Sequence, residues 1–246
     1  MKPVPVSIIL PTLNEFDNLP PLVEKLIKII NPGEIIIVDD NSSDGTGILA
    51  KKLEHEFSRI KVMVNNPPIG LAPSIQKGIN KSTSPYVAWM DVDFSHPPGI
   101  LKKMLKEILQ ADIVTGSWLA QGGQDLRREV VTKLISYIIN KFCQLVFNNK
   151  LTAYTSGFIL TKKDILEEFH LKGNYGEYCI DFLVRMSAKS YVIQEVPFVC
   201  RSRKKGKSKT APNLSVYFRQ GMKYINMIIS LHNYMFKAVS VKENGG

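Results

Sequence analysis

Residues 86–98 read Y-V-A-W-M-D-V-D-F-S-H-P-P, and this run decides the fold. Tyr86 to Met90 are apolar and form a buried-strand pattern. Asp91 and Asp93 stand one residue apart at the strand's C-terminal end. Pro97 and Pro98 follow, and proline is favoured in the first turn of a helix. Ile100, Leu101, Met104, Leu105 and Ile108 then recur at helical spacing. The two carboxylates therefore sit in a strand-to-helix loop. In open α/β sheets, the crevice outside the carboxyl ends of the strands is where ligands bind. Hard cations such as Mg²⁺ and Mn²⁺ prefer carboxylate oxygens and are commonly shared with substrate phosphates. A D-x-D pair alone is most often a solvated turn, because Asp bonds its own backbone there, so the rest of the chain must decide.

Upstream, the same alternation repeats. Val6–Leu10 is a short apolar strand ending in the loop P-T-L-N-E, residues 11–15. Helical spacing follows through Leu19, Leu22, Leu26, Ile29 and Ile30, and Asn31-Pro32-Gly33 ends that helix. Glu34–Val38 is a β-branched run of the kind buried in parallel sheets, and it terminates in D-D-N-S-S-D-G, residues 39–45. A helix over about Thr46–Phe57, a strand Ile60–Val64 and a helix Gly70–Ile79 lead into the D-V-D run. A strand Ile113–Thr115, followed by G-S-W, closes this half. Alternating strands and helices predict a parallel sheet with helices on both faces. Polar loops at strand ends are commonplace. The excess here is acid, with Glu15, Asp39, Asp40, Asp44, Asp91 and Asp93 converging on one edge, and such charges repel unless a cation or donor groups offset them.

The acid loops are the more telling because the chain is basic: among 246 residues the net charge is +10. That balance points to an anionic partner. A purely nucleic-acid-binding protein would account for the charge but not for acidic cleft loops, since phosphate backbones need cationic contacts. A nucleotidyltransferase would need a glycine- and Arg/Lys-rich loop after its first strand, which P-T-L-N-E is not. The cysteines, Cys143, Cys179 and Cys200, have neither metal-ligand spacing nor a disulfide framework, which suits a reducing, cytosolic setting. The N-terminal apolar core is too short for a signal peptide, and no stretch approaches the roughly 20 apolar residues of a membrane-spanning helix.

Beyond Gly122-Gly123 the alternation stops. Val130–Val146 is an amphipathic helix pattern. Lys162–Glu168 and Glu177–Met186 also read as helices, and Tyr191–Val196 as a strand. Arg201–Lys209, R-S-R-K-K-G-K-S-K, is a basic loop that could fold over a diphosphate as lid loops do or sit on anionic headgroups. From Val216 to Val239, a narrow polar stripe runs along an otherwise apolar helix. Such a helix is either wrapped in protein or lies in a membrane interface, and its aromatic content tilts the expectation to the membrane.

The motifs P-T-L-N-E, I-I-I-V-D-D-N-S-S-D-G-T, M-D-V-D-F-S-H-P-P, T-S-G-F at 155–158 and R-K-K-G-K-S-K at 203–209 stand in an order and spacing that resemble family 2 glycosyltransferases of the GT-A fold, most closely the dolichyl-phosphate mannosyltransferase branch. The resemblance implies a Rossmann-like, mostly parallel sheet in a catalytic domain over 1–210, with a nucleotide-sugar half about 1–120, an acceptor half about 121–210 and an amphipathic interface or packing helix and tail over 211–246. It implies that Pro11, Leu13, Glu15, Val38 and Asp40 surround the base and ribose, with Val92 beside the nucleotide. Asp91 and Asp93, with Ser95 as third contact, would hold Mg²⁺ or Mn²⁺. Arg203 and Lys209 would close over the phosphates, so the expected catalytic set is Asp91, Asp93 and Arg203.

Departures from that pattern fall on the acceptor side. Ser95 stands where relatives often have Gln. Trp118 and Thr132 stand where they usually have Arg, and Ala153 where an Asp is common. Arg127, Arg128 and Ser136 are the expected acceptor-positioning residues. The expected function is metal-dependent, inverting transfer of a hexose, GDP-mannose being the favoured donor, to a polyprenyl or dolichyl phosphate by a peripheral protein on the cytosolic face of a membrane. The alternative is a UDP-sugar donor with a saccharide or protein acceptor. A basic non-catalytic RNA- or membrane-binding protein is the reading from a different class. A nucleic-acid partner is not expected of the glycosyltransferase.

Overall fold

A computed structural model describes residues 4–147, 151–173, 175–203, 205 and 214–243. Its core is a seven-stranded sheet in the order β3-β2-β1-β4-β7-β5-β8. The first half follows the alternation read from the sequence: β1 (Val4–Thr12), α1 (Leu19–Ile29), β2 (Pro32–Asp39), α2 (Thr46–Glu56), β3 (Ile60–Val64), α3 (Leu71–Lys81) and β4 (Tyr86–Trp89). A 3-10 turn at Pro98–Ile100 leads into α4 (Leu101–Glu107), and β5 (Ile113–Ser117) follows.

β1 pairs in parallel with β2 on one side and β4 on the other, with Ile9 opposite both Ile36 and Trp89. Chain direction diverges from β1, so its C-terminal end opens a crevice between the β2 and β4 loops. Side chains alternate across the sheet. Ile8, Leu10, Ile35, Ile37 and Ala88 pack into one core cluster, whereas Ile9, Ile36, Val38, Val87 and Trp89 pack into the other. Both faces are covered, which is why these strands read as continuous apolar runs.

The second half departs from the parallel pattern. A short strand unread in the sequence, β7 (Ile159–Lys162), runs antiparallel between β4 and β5. β6 (Gln124–Leu126) and β9 (Val199–Arg201) form a separate parallel ribbon. α6 (Lys163–Glu167) and α7 (Tyr178–Ala188) lie near the expected positions, and β8 (Ile193–Pro197) completes the sheet beside β5.

Two long helices flank this half. In α5 (Val130–Phe147), Asn140, Cys143 and Phe147 are buried. Val130, Leu134, Ile138 and Leu145 are between 56% and 79% exposed. Contrary to the expectation of no such stretch, this helix is long and apolar enough to cross a membrane by length and composition alone. Its polar inner face is tied to the domain: Asn140 Nδ2 donates to the Ser136 carbonyl and Thr155 Oγ1, and Asn140 Oδ1 accepts from the Tyr154 and Thr155 amides. α8 (Leu214–Glu243) is the expected C-terminal helix. Its middle is packed on protein. Ile228 and Leu231 are buried in the second core cluster, and the Arg185 guanidinium on α7 lies 4.3 Å from the Tyr234 ring centre. Met222, Ile225 and Ile229 on the same helix are exposed.

Candidate active site

The crevice at the C-terminal ends of β1, β2 and β4 opens into a cavity of about 520 Å³ that continues between α5 and α8. From the first half it is lined by Pro11, Leu13, Glu15, Asp40, Asp91, Val92, Asp93 and Ser95, and from the second half by Arg127, Ser136 and Arg203. The cavity thus gathers most of the residues singled out in the sequence. Two fall elsewhere. Val38 is wholly buried in the core beside Ile36, because strand alternation turns its side chain into the sheet face rather than toward the loop. Arg128 is exposed outside the cavity lining, where its backbone N–H donates to Ser202 Oγ. Lys209 lies outside the described residues.

The loop after β2 is set by its own carboxylates. Asp39 accepts from Thr12 Oγ1 at 2.9 Å and from the Ser42 amide at 2.9 Å. Asp40 accepts from the amides of Ile69 and Gly70 and from Asn65 Nδ2, at 2.7, 2.9 and 3.0 Å. These bonds fix the two loops that form one end of the cavity. Asn14 and Asn41 adopt left-handed backbone angles, φ 52° and 64°, a conformation that asparagine tolerates.

The D-V-D loop turns tightly at Phe94, φ 68°. His96 holds it in place. The Asp91 amide donates to His96 Nδ1 at 3.0 Å, and the imidazole stacks on Phe158 with ring centres 5.0 Å apart. His96 is thus a loop-orienting residue, its Nδ1 already occupied as an acceptor. Ser95 donates its backbone N–H to Asp93 Oδ1 at 3.0 Å. Arg203 reaches in from beyond β9, with Nη2 2.9 Å from Asp93 Oδ2 and Nη1 3.6 Å from Glu15 Oε1. The Lys205 carbonyl accepts from Asn18 Nδ2 at 3.2 Å, so the described part of the basic loop lies against the acid edge.

The electrostatics follow from this geometry. Recess within the cavity raises the Asp91 carboxyl above the ordinary aspartate value; His96 and Arg203 oppose that rise, while Asp93 and Glu15 add to it. Burial also pushes Asp93 up, but bonds from Ser95 and the charge of Arg203 more than offset it, and Asp93 lies below the ordinary value. Such an edge wants positive charge, and a guanidinium is already seated on it. Among the described residues, no cluster of three or more His, Cys, Asp or Glu side chains forms a closed metal cage. Two carboxylates facing a cavity instead suit a hard cation that keeps waters and shares a substrate's phosphates.

Among the described residues, the thiols that line the cavity are not activated as nucleophiles. Cys179 and Cys200 line it, but burial pushes each thiol up to about 12, so both are protonated near neutral pH. Tyr178, which accepts from Trp89 Nε1 at 3.0 Å, is held well above the ordinary tyrosine value by burial. Sequence reading missed Tyr175, Tyr178, Gln220 and Tyr224 as cavity residues. Only the approach of α8 to α7 brings them there.

A family model described as glycosyl transferase family 2 matches residues 7–169. The chain is 29% identical over 209 residues to the dolichol-phosphate mannosyltransferase of Pyrococcus furiosus, covering 83% of this chain and 58% of that protein, so it spans less than two thirds of that relative. It is 29% identical over 212 residues to the undecaprenyl-phosphate mannosyltransferase of Micrococcus luteus, covering 83% and 86% respectively. A crystal structure of glucosyl-3-phosphoglycerate synthase from Mycobacterium tuberculosis with Mn²⁺, UDP and glucosyl-3-phosphoglycerate is similar with a TM-score of 0.69 at 16% identity, covering 93% of this chain and 80% of that one. At that identity the likeness is one of fold, and the fold is of the GT-A type.

Proposed function

The chain belongs to glycosyl transferase family 2, and from that premise we propose that it transfers a hexose, with GDP-mannose the favoured donor, to the phosphate of a polyprenyl lipid. The observation that carries this reading is one helix with two faces. Ser136 and Ile139 of α5 line the same cavity as Asp91 and Asp93, while Leu134, Ile138 and Leu145 of that helix are turned out to solvent. A large exposed apolar surface marks a protein or membrane contact. Here it borders the mouth of a site built for phosphates. The relatives' names, dolichol-phosphate and undecaprenyl-phosphate mannosyltransferase, support the same acceptor class.

In this reading, Pro11, Leu13, Glu15 and Asp40 receive the base and ribose, with Val92 beside them. Asp91 and Asp93 would hold Mg²⁺ or Mn²⁺, with Ser95 orienting Asp93, and the bound ion supplies charge against that developing on the departing nucleoside diphosphate. Arg203 leaves Asp93 and Glu15 to meet the diphosphate, and Lys209 joins it. Ser136 and Arg127 face the acceptor. Its phosphate attacks the anomeric carbon from the face opposite the leaving group and inverts it. A phosphate is already anionic near neutral pH and needs no general base, which suits a cavity whose thiols and buried tyrosines stay protonated. The protein would lie on the cytosolic face of the membrane, held by the outer face of α5 and the exposed residues of α8.

The test is a transfer assay pairing GDP-mannose and UDP-glucose with polyprenyl phosphate and with a free saccharide, each with and without Mn²⁺. Metal-dependent mannosyl transfer to the lipid is expected. Transfer from UDP-glucose to the saccharide would establish the alternative, and metal-independent binding of both donors would refute the site. A gel shift with RNA and no donor binding would move the chain out of the enzyme class.

A further inference from the structure

The acceptor end of the cavity has a cation held by an unusual pair of neighbours. Trp118 is 7% exposed and packs edge-on against Phe198, with ring centres 6.1 Å apart. The Arg127 guanidinium carbon lies 5.3 Å from the centre of the Trp118 ring. The same guanidinium is bound side-on by Asp125, with Nε to Oδ1 at 2.9 Å and Nη2 to Oδ2 at 2.6 Å. Both side chains of this pair are largely buried, at 17% and 11% exposure. A ring face and a bidentate carboxylate together fix the plane and rotation of a guanidinium. Arginine carries five N–H donors. Asp125 takes two of them, and the others find no hydrogen-bond partner among the described residues. Trp118 and Arg127 line the cavity, whereas Asp125 does not.

Among the described residues, the cationic side chains lining the cavity are Arg127, Arg201 and Arg203. Arg203 is engaged by Asp93 and Glu15 at the donor end, and Arg201 is exposed. An incoming phosphate must approach the acid edge of Asp91, Asp93 and Glu15, where like charge repels it. Asp125 balances the charge of Arg127 but takes only part of its donor set, so Arg127 meets a phosphate there with fixed N–H donors rather than with a free charge. We propose that Arg127 is the specificity-determining contact for the acceptor's phosphate group, and that Trp118 and Asp125 are positioning residues that aim it. The inference rests on the phosphate-acceptor reading above and names the cation that enforces it.

The experiment compares wild type with Arg127→Met, Trp118→Phe, Trp118→Leu, Asp125→Asn and the double variant Trp118→Arg/Arg127→Met. Acceptor KM and kcat are measured with farnesyl phosphate and with glycerol phosphate, and donor affinity by calorimetry with GDP-mannose. Arg127→Met should raise acceptor KM by about tenfold or more, the scale of losing a charged hydrogen bond, while donor affinity stays within about twofold. Trp118→Leu and Asp125→Asn should raise acceptor KM with kcat nearly unchanged, and Trp118→Phe, which keeps a ring, should stay near wild type. The double variant returns a guanidinium to the same wall and should recover acceptor KM relative to Arg127→Met, which a merely structural role for Arg127 would not allow. A larger effect on farnesyl phosphate than on glycerol phosphate assigns the contact to a lipid headgroup, and equal effects assign it to any phosphate ester. Unchanged acceptor KM in Arg127→Met, or donor affinity falling in parallel, would overturn the proposal. Absence of transfer by wild type to either phosphate would instead overturn the reading on which it rests, and the proposal with it.

Discussion

The exposed face of α5 gives the sharpest test of the acceptor class. Changing Leu134, Ile138 and Leu145 together to Ser removes apolar groups that are 56%, 56% and 79% exposed. Together they present about two whole aliphatic side chains to solvent. Burying one such side chain contributes about 1.5–3 kcal/mol, and a headgroup interface captures roughly half of that, so the triple variant should weaken membrane partitioning by roughly 1.5–3 kcal/mol. At 1.4 kcal/mol per tenfold, this is a roughly 10- to 150-fold fall in partition coefficient.

The assay is co-sedimentation with vesicles of zwitterionic lipid at physiological salt, which isolates the apolar contribution from the attraction of a +10 chain for anionic headgroups. Donor affinity should be unchanged and thermal stability little altered, because these side chains are mostly exposed and do not line the cavity. Transfer to a lipid acceptor presented in vesicles should fall, whereas transfer to a short-chain acceptor in solution should not. Wild-type partitioning by the triple variant would refute the reasoning. Deleting α8 is a poor substitute for this experiment, because Ile228 and Leu231 would be stripped from the core. Exposed Met222, Ile225 and Ile229 are the positions to change on that helix.

Further outcomes follow from the same geometry. Asp93→Asn should cost transfer about a hundredfold to a thousandfold, the scale of one lost electrostatic contact, and should abolish Mn²⁺ binding seen by electron paramagnetic resonance; wild-type turnover would dismiss the site. Asn140→Ala leaves the Tyr154 and Thr155 amides without their buried acceptor and should cost about 1–3 kcal/mol in urea unfolding. At Gly78, an added Cβ would meet Ile9 Cγ2 at 2.5 Å, so Gly78→Ala should destabilise by about 1–3 kcal/mol despite its better helix propensity. Burial pushes Glu34 up, but bonds from Lys61, Ser7 and Thr83 more than offset it, and the carboxyl lies below its ordinary value. Its stabilisation is therefore present above about pH 4.3, the ordinary glutamate value, and fades as pH falls through the folded value. Urea unfolding across that range should be steeper in pH for wild type than for Glu34→Gln.

The first half of the fold was legible because it is built from local signals. Apolar runs of strand length end in acid loops, and each is followed by a helix. β7 was not legible. It is four residues long, and its antiparallel place between β4 and β5 is a matter of pairing with distant strands rather than of its own composition. The apolar C-terminal helix left membrane and protein contact both open, and the structure divides it: one face holds Ile228 and Leu231 in the core, while Met222, Ile225 and Ile229 stay outside.

The site was legible to the extent that strand alternation was applied to it. Val38 is the residue before the acid pair, and the same period-two rule that buries Ile36 buries it too. The rule also sorts residues 124–128. Gln124, Leu126 and Arg128 are exposed, whereas Asp125 and Arg127 turn inward together. Of two adjacent arginines, alternation therefore delivers only one to the cavity, and it delivers that one with a carboxylate two residues away as its partner. What no local rule supplies is the ring beneath it. Trp118 follows β5, whereas Arg127 follows β6, which is placed by its pairing with β9. A departure from the family pattern at Trp118 reads as a loss in the sequence, and it becomes a seat for a neighbouring cation only when the two chain segments are brought to one wall.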